Sequence, residues 1–182
     1  MSGQQILLLA LFAVLVFWMV GAYNRMVALR NDIKQAWSRI DEALMLRGQA
    51  ARPLLTLLNG ALAAEQGALD TVQAALAEAA RSAATMETRP VVEAHAAAWV
   101  AAEASLAAAA SRVFALLEQS PDALRKQETV AESTALWHEA DTRLVFARQR
   151  FNEACQAYNE AITLFPTRWL VPMFRFERAG RV

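Results

Sequence analysis

The sequence predicts an all-α protein: a single N-terminal transmembrane helix that continues into an antiparallel up-down four-helix bundle. Three observations carry this. Ile6 to Ala22 is a run of seventeen residues with no charge and no polar side chain. Apolar residues then recur at spacings of three and four along most of the chain, the mark of helical stripes. Only six Gly and five Pro interrupt 182 residues, and long segments contain neither, which favours helices over a sheet.

At 1.5 Å per residue the apolar run is about 26 Å long, slightly under the roughly 30 Å of a hydrocarbon core. Residues 1–5 form a short flank and residues 6–23 the span. Trp18, Tyr23 and Arg25 suit a membrane interface. A cleavable signal peptide is the alternative, with Val20-Gly21-Ala22 as its small-residue site, but Met1 to Gln5 carries no Lys or Arg. The start at Met1 also favours retention. No basic residue precedes the span, whereas Arg25, Arg30, Lys34 and Arg39 follow it. The positive-inside rule then places the N-terminus outside and the large C-terminal part in the cytoplasm.

About 160 residues remain after the anchor, enough for one domain with its own core. Eighteen basic and eighteen acidic residues balance, so no basic surplus supports nucleic-acid binding. A single cysteine, Cys155, forbids an internal disulfide and fits a reducing compartment.

The bundle is assigned to residues 24–165. Its first helix carries the stripe Met26, Leu29, Ile33, Trp37, Ile40 and Leu44. Gly48 suits a helix end and Pro53 the first turn of the next helix. These predict a turn near residues 47–52, with a kinked continuous helix as the alternative. A second helix follows from Pro53 to about Met86, striped by Leu54, Leu58, Leu62, Leu69, Val72 and Leu76. Glu87 to Pro90 reads as a turn, because a residue before Pro leaves helical geometry. The third helix, about Val91 to Glu118, carries Val92, Trp99, Leu106, Val113 and Leu117 in a nearly all-alanine setting. Alanine is the best helix former; low-complexity disorder is the competing view. Ser120 can cap a fourth helix opening at Pro121 and Asp122. That helix runs to Phe165 with the most regular stripe of the chain, from Val130 through Trp137, Leu144, Phe151 and Tyr158, and Pro166 stops it.

Four helices with short links put the carboxyl end back at the bilayer. The tail, 166–182, interleaves aromatics with arginines. Trp169, Phe174 and Arg175 are assigned to the membrane interface, since this mixture suits an anionic surface; covering the bundle end is the equal alternative. Asn24 and Asn31 stand seven apart on the first helix, as do Asn152 and Asn159 on the last. In an antiparallel pair they could meet as polar rungs that fix register, or simply be exposed asparagines.

Tyr23-Asn24-Arg25-Met26-Val27, Leu29-Arg30-Asn31, Ala36-Trp37-Ser38-Arg39-Ile40-Asp41, Arg47 and Pro53 resemble the start of a LemA-family domain. Ser120-Pro121-Asp122, Ala147-Arg148, Phe151-Asn152-Glu153-Ala154, Tyr158-Asn159, Ala161-Ile162 and Phe165-Pro166 resemble its end. The order matches and both ends are covered; the alanine-rich middle adds nothing. Leu54 stands where the family commonly has Asn, Ser120 and Phe151 where it has Tyr, and Thr167-Arg168 where it has Gly-Asn. The resemblance implies a LemA-like fold in a bacterial inner-membrane protein with one N-terminal span.

Catalytic signatures are missing from the sequence. His95 and His138 lack the Glu three residues earlier that a di-iron bundle uses, and Thr142 occupies the second histidine position of a zincin-like helix begun by His138-Glu139. No P-loop or nucleophile elbow appears. Glu128 with Glu132, and Glu139 with Asp141, read as solvated faces. Trp37, Trp99 and Trp137 lie on stripes and read as core. The expectation is a non-enzymatic membrane scaffold or adaptor without metal or cofactor, bound to membrane lipid and to a protein partner or copies of itself. A membrane-surface organiser acting through oligomers and the tail is the alternative.

Overall fold

A computed structural model of the chain describes residues 2–164, 167–169, 171–174 and 176–182. Among these the regular structure is helical throughout. Helix α1 spans Gly3–Ala61, α2 Gln66–Thr88, α3 Glu93–Gln119, α4 Asp122–Arg125, α5 Glu128–Thr163 and α6 Val171–Phe174. Two 3-10 turns, Ala63–Glu65 and Thr167–Trp169, sit at the α1–α2 corner and after α5.

α1 is a rod of 59 residues, about 88 Å long at 1.5 Å per residue. Its first third is unsupported by the rest of the protein: Leu7, Phe12 and Phe17 are exposed, Phe17 to 77%. This window is long and apolar enough to cross a membrane, and none of it is buried. Burial starts at Met26 and recurs at Ile33, Trp37 and Ile40 of the predicted stripe, with Leu29 and Leu44 partly buried and Ala43 buried beside Leu44. α3 is also long and apolar enough by composition, but its apolar residues Trp99, Leu106, Val113 and Leu117 are buried in the bundle.

The predicted turn at 47–52 is not there. The continuous-helix alternative holds: α1 runs unbroken through Gly48 and Pro53 and ends at Ala61, where the Leu62 N–H bonds back to Leu58. An internal Pro costs a helix about 3 kcal/mol. Leu54, Leu55 and Leu58, all buried just beyond it, each return roughly 1.5–3 kcal/mol. Tertiary burial therefore overrides the local break. Leu54 and Leu58 belong to the end of α1, and the second helix starts at Gln66 rather than Pro53. The fourth helix is also corrected. Pro121 caps a single turn, α4, and α5 begins at Glu128. The Ser120 hydroxyl donates to the Leu117 carbonyl at the end of α3 instead of capping.

α1 pairs antiparallel with α5, α2 with α3, and α2 leans on α1. α3 reaches α5 through side chains, as where Phe114 meets Trp137 edge-on at 5.5 Å. The result is the up-down four-helix arrangement. Its core has two parts. The part nearer the anchor is built around Trp37, Trp99, Phe151 and Tyr158. The far part is built around Leu54, Leu58, Leu106 and Trp137.

Candidate functional site

Every long helix places one polar residue at the level where the two cores meet. On α1, Arg47 lies between Ala43 of one core and Ala50 of the other; on α2, Ser82 lies between Ala83 and Ala79. Glu103 on α3 and Asp141 on α5 complete the layer. Arg47 and Glu103 are only 8% and 6% exposed at the side chain and form a two-bond ion pair: Nη1 to Oε2 at 2.9 Å and Nη2 to Oε1 at 2.6 Å. Arg47 Nη1 also lies 3.7 Å from Asp141 Oδ1. Ser82 satisfies its hydroxyl within α2, on the Glu78 and Ala79 carbonyls.

Arg148, two turns along α5 from Asp141, lays its guanidinium over the Trp99 ring at 4.6 Å, an attraction between cation and aromatic face. Its Nη2 stands 3.6 Å from Glu103 Oε2, beyond hydrogen-bond reach. Burial pulls the Arg148 pKa down, and Glu103 opposes that. Burial likewise pushes the Asp141 carboxyl above its ordinary value, with Arg47 opposing. Two guanidinium groups thus face two carboxylates, and the layer is close to neutral.

Arg47 lines a smaller cavity between α1 and α2, and the layer also opens outward between α3 and α5. A cavity of about 430 Å³ lies there, floored by Arg47, Glu103, Asp141 and Arg148, walled by Phe114 and Trp137, and rimmed by Val100, Val145 and His138. No activated nucleophile stands in it. Among the described residues no three His, Cys, Asp or Glu side chains converge as metal ligands would. The chemistry on offer is ion pairing and apolar contact.

The predicted site residues fall out differently. α1 and α5 are neighbours, as the polar rungs require, but the rungs are not formed. Trp37 stacks beside Phe151 at 5.7 Å and Arg30 lies over Tyr158, a register displaced by about five residues from the one that would align the asparagines. Asn24 and Asn31 are exposed. Asn159 instead donates to the Ala179 carbonyl at 2.9 Å and accepts from the Ala179 N–H at 2.8 Å. Asn152 does the same with Val182, at 2.6 and 2.8 Å.

The tail divides between the end of the apolar run and the bundle. Phe174 does stand at the anchor end, 5.0 Å from the Tyr23 ring. From Phe176 the chain turns back along α5, and Phe176 and Ala179 are buried in the core nearer the anchor. Phe176 lies under the Arg30 guanidinium at 4.8 Å. Trp18 and Arg25 are exposed on α1; the Trp169 side chain and Arg175 lie outside the described residues.

The profile of the LemA family matches residues 36–181. The chain belongs to the LemA family. That match takes in α2, α3, the charged layer, the extended tail and the resembling motifs from Ala36 onward; Tyr23 to Asn31 lie before it. No curated protein matches this LemA chain.

Sequence reasoning missed the layer. Glu139 lies half exposed and pairs with Arg143, as a solvated face predicts, whereas Asp141 faces Arg47 at 3.7 Å. Glu103 carried a readable signal: it follows Trp99 by four and precedes Leu106 by three, so it sits on the apolar stripe itself. Arg47 follows Leu44 by three and Ile40 by seven, again on the stripe. A charge on each of two stripes predicts a buried pair.

Proposed function

We propose that this LemA-family protein is a membrane-anchored scaffold that binds a protein partner or copies of itself and carries out no catalysis. The observation that supports the reading best is the single unbroken rod α1. Its exposed apolar third suits a bilayer, and the rest is an integral wall of the bundle. Such a rod holds the bundle at a fixed height and orientation over a membrane. The charge bias after the span favours the bundle on the cytoplasmic side, and the family resemblance implies a bacterial inner membrane.

Surface chemistry agrees with an interacting bundle. Val145 and Phe146 on α5 are each 65% exposed, and Val100 on α3 is exposed across the cavity from Val145. A photo-crosslinking residue at Phe146, in the full chain in native membranes, tests the reading. Adducts with a discrete protein or with a second copy, lost on Val145→Asp, are expected. A chain that gives no adduct and runs as a monomer in mild detergent overturns it.

The alternative, a membrane-surface organiser, draws on the Tyr23–Phe174 contact at the end of the span. Phe176, a second of the tail's three aromatics, is occupied within the bundle, which leaves less of the tail for lipid. Liposome binding that drops when Phe174 is replaced by Ser would favour this second reading.

A further inference from the structure

The segment from Phe176 to Val182 has no regular secondary structure of its own, yet it is held at four points. Asn159 and Asn152, seven residues apart on one face of α5, each close a two-bond ring with the main chain of one segment residue, Ala179 and Val182. A side-chain amide that pairs with both the N–H and the C=O of one residue reads backbone, as an added β-strand is read. Phe176 fills an apolar site beneath Arg30. Gly180 is pressed against the first turn of α3: a Cβ there would lie 2.7 Å from the Glu93 Cα and 2.8 Å from the Ala96 Cβ. Neither atom can swing aside, so the groove admits only glycine at that step.

Together these define a receptor. It takes an extended peptide with an aromatic residue at one position, a small residue three further on and a glycine directly after, its main chain facing α5. We propose that this groove between α5 and the start of α3 is an extended-peptide site, and that it binds the same segment of a second copy as well as its own. The inference rests on the self-assembly half of the proposed function and supplies its contact.

Covalent geometry and anchoring support exchange. Twelve residues, 164–175, join α5 to the segment; with Thr167–Trp169 at about 2.0 Å each, Val171–Phe174 at about 1.5 Å each and the other five at no more than roughly 3.3–3.6 Å each, they can span about 29 Å. A neighbouring four-helix bundle, two helices of about 10–12 Å across, lies within that reach. Spans in one bilayer would hold the grooves of neighbouring copies at one height, so the second site is met at high effective concentration. The contacts in cis and in trans are identical, which is what makes segment exchange an inexpensive route to assembly.

The test is complementation between two full-length chains with different tags, co-expressed in membranes. One carries Asn152→Leu and Asn159→Leu, which spoil the groove and spare the segment. The other carries Gly180→Val, which spoils the segment and spares the groove. Co-purification of the two tags at least tenfold above either variant paired with itself is expected. Retention no greater in the mixed pair than in the self-pairs overturns exchange. A second arm leaves every α5 residue intact: full-length Gly180→Val is titrated with a fluorescent peptide of residues 176–182. Saturable binding is expected, absent when the peptide itself carries Gly180→Val, and no saturable binding overturns the site. If complementation fails while crosslinking at Phe146 still yields dimers, the scaffold reading stands and this inference falls.

Discussion

Arg47 and Glu103 close a two-bond ion pair across the core from α1 to α3, with both side chains less than a tenth exposed. The pair sits where the apolar core divides in two, and its partners Asp141 and Arg148 both stand on α5. Three helices are therefore tied at one level. A buried pair of this kind adds little net stability, because desolvation offsets attraction, but losing one member leaves a bare buried charge. Its role is to fix which helical level faces which. This matters in a bundle whose alanine-rich α3 has few large side chains to set register.

Replacing Glu103 by Gln should therefore lower stability by roughly 3–5 kcal/mol. The double replacement Arg47→Met with Glu103→Leu should recover most of that loss, since no charge is stranded. Urea unfolding of the three variants in detergent checks this. Equal losses for the single and the double change would show that the pair stabilises outright rather than merely being costly to break.

Asp141 points to a pH effect of definite sign. Burial holds its carboxyl above the ordinary value, despite Arg47 nearby. A raised carboxylate pKa means that the folded protein prefers the protonated form. The contribution to stability is thus present below the ordinary aspartate range and is lost as pH rises through the raised value. Asp141→Asn should melt slightly higher than the parent at pH 7, and the gap should close as the pH falls to about 4, near the free aspartate value. Melting curves at several pH values decide it; a variant that melts lower at pH 7 contradicts this account.

Much of the architecture was legible because periodicity reports burial. The stripes of α1, α3 and α5 reappear in the core at Ile33, Trp37, Trp99, Leu106, Phe151 and Tyr158. The apolar run before Tyr23 is unburied and long enough to cross a membrane. What failed were choices in which a local signal competes with a distant one. Pro53 says "stop" locally and is overruled by leucines that pack on other helices. Asn152 and Asn159 repeat at a helical spacing shared with Asn24 and Asn31, but spacing along one helix does not reveal that a segment folds back to take both amides. The charged layer is not legible from the apolar stripes alone, because Arg47 and Glu103 interrupt those stripes and their pairing joins residues 56 apart in the chain.

Cys155 should be chemically silent in the folded protein. It is fully buried, and burial pushes its thiol up to about 12, with Arg181 opposing weakly. The thiolate is the reactive form, so at pH 8 roughly one thiol in 10⁴ is ionised, on top of the steric barrier. A maleimide added to the full chain in detergent should label almost nothing within minutes and should label fully in urea. Rapid labelling without denaturant would mean that α5 opens locally near the tail groove.

Pro53 offers the cleanest test of the unbroken rod. Within α1 it removes the hydrogen bond that would run to the Gln49 carbonyl and crowds the preceding turn. Pro53→Ala restores that bond, a gain of about 3 kcal/mol, while the freer unfolded chain takes back roughly 0.4–1 kcal/mol. A net rise of about 2 kcal/mol in unfolding free energy is therefore expected. Were residues 47–52 a turn, with Pro53 opening the next helix, its missing N–H would be harmless and its fixed φ helpful, and alanine would destabilise. The sign of the change in the urea midpoint thus separates a continuous α1 from a broken one. It also bears on the proposed function, in which a continuous rod carries the bundle at a fixed orientation beyond the apolar run.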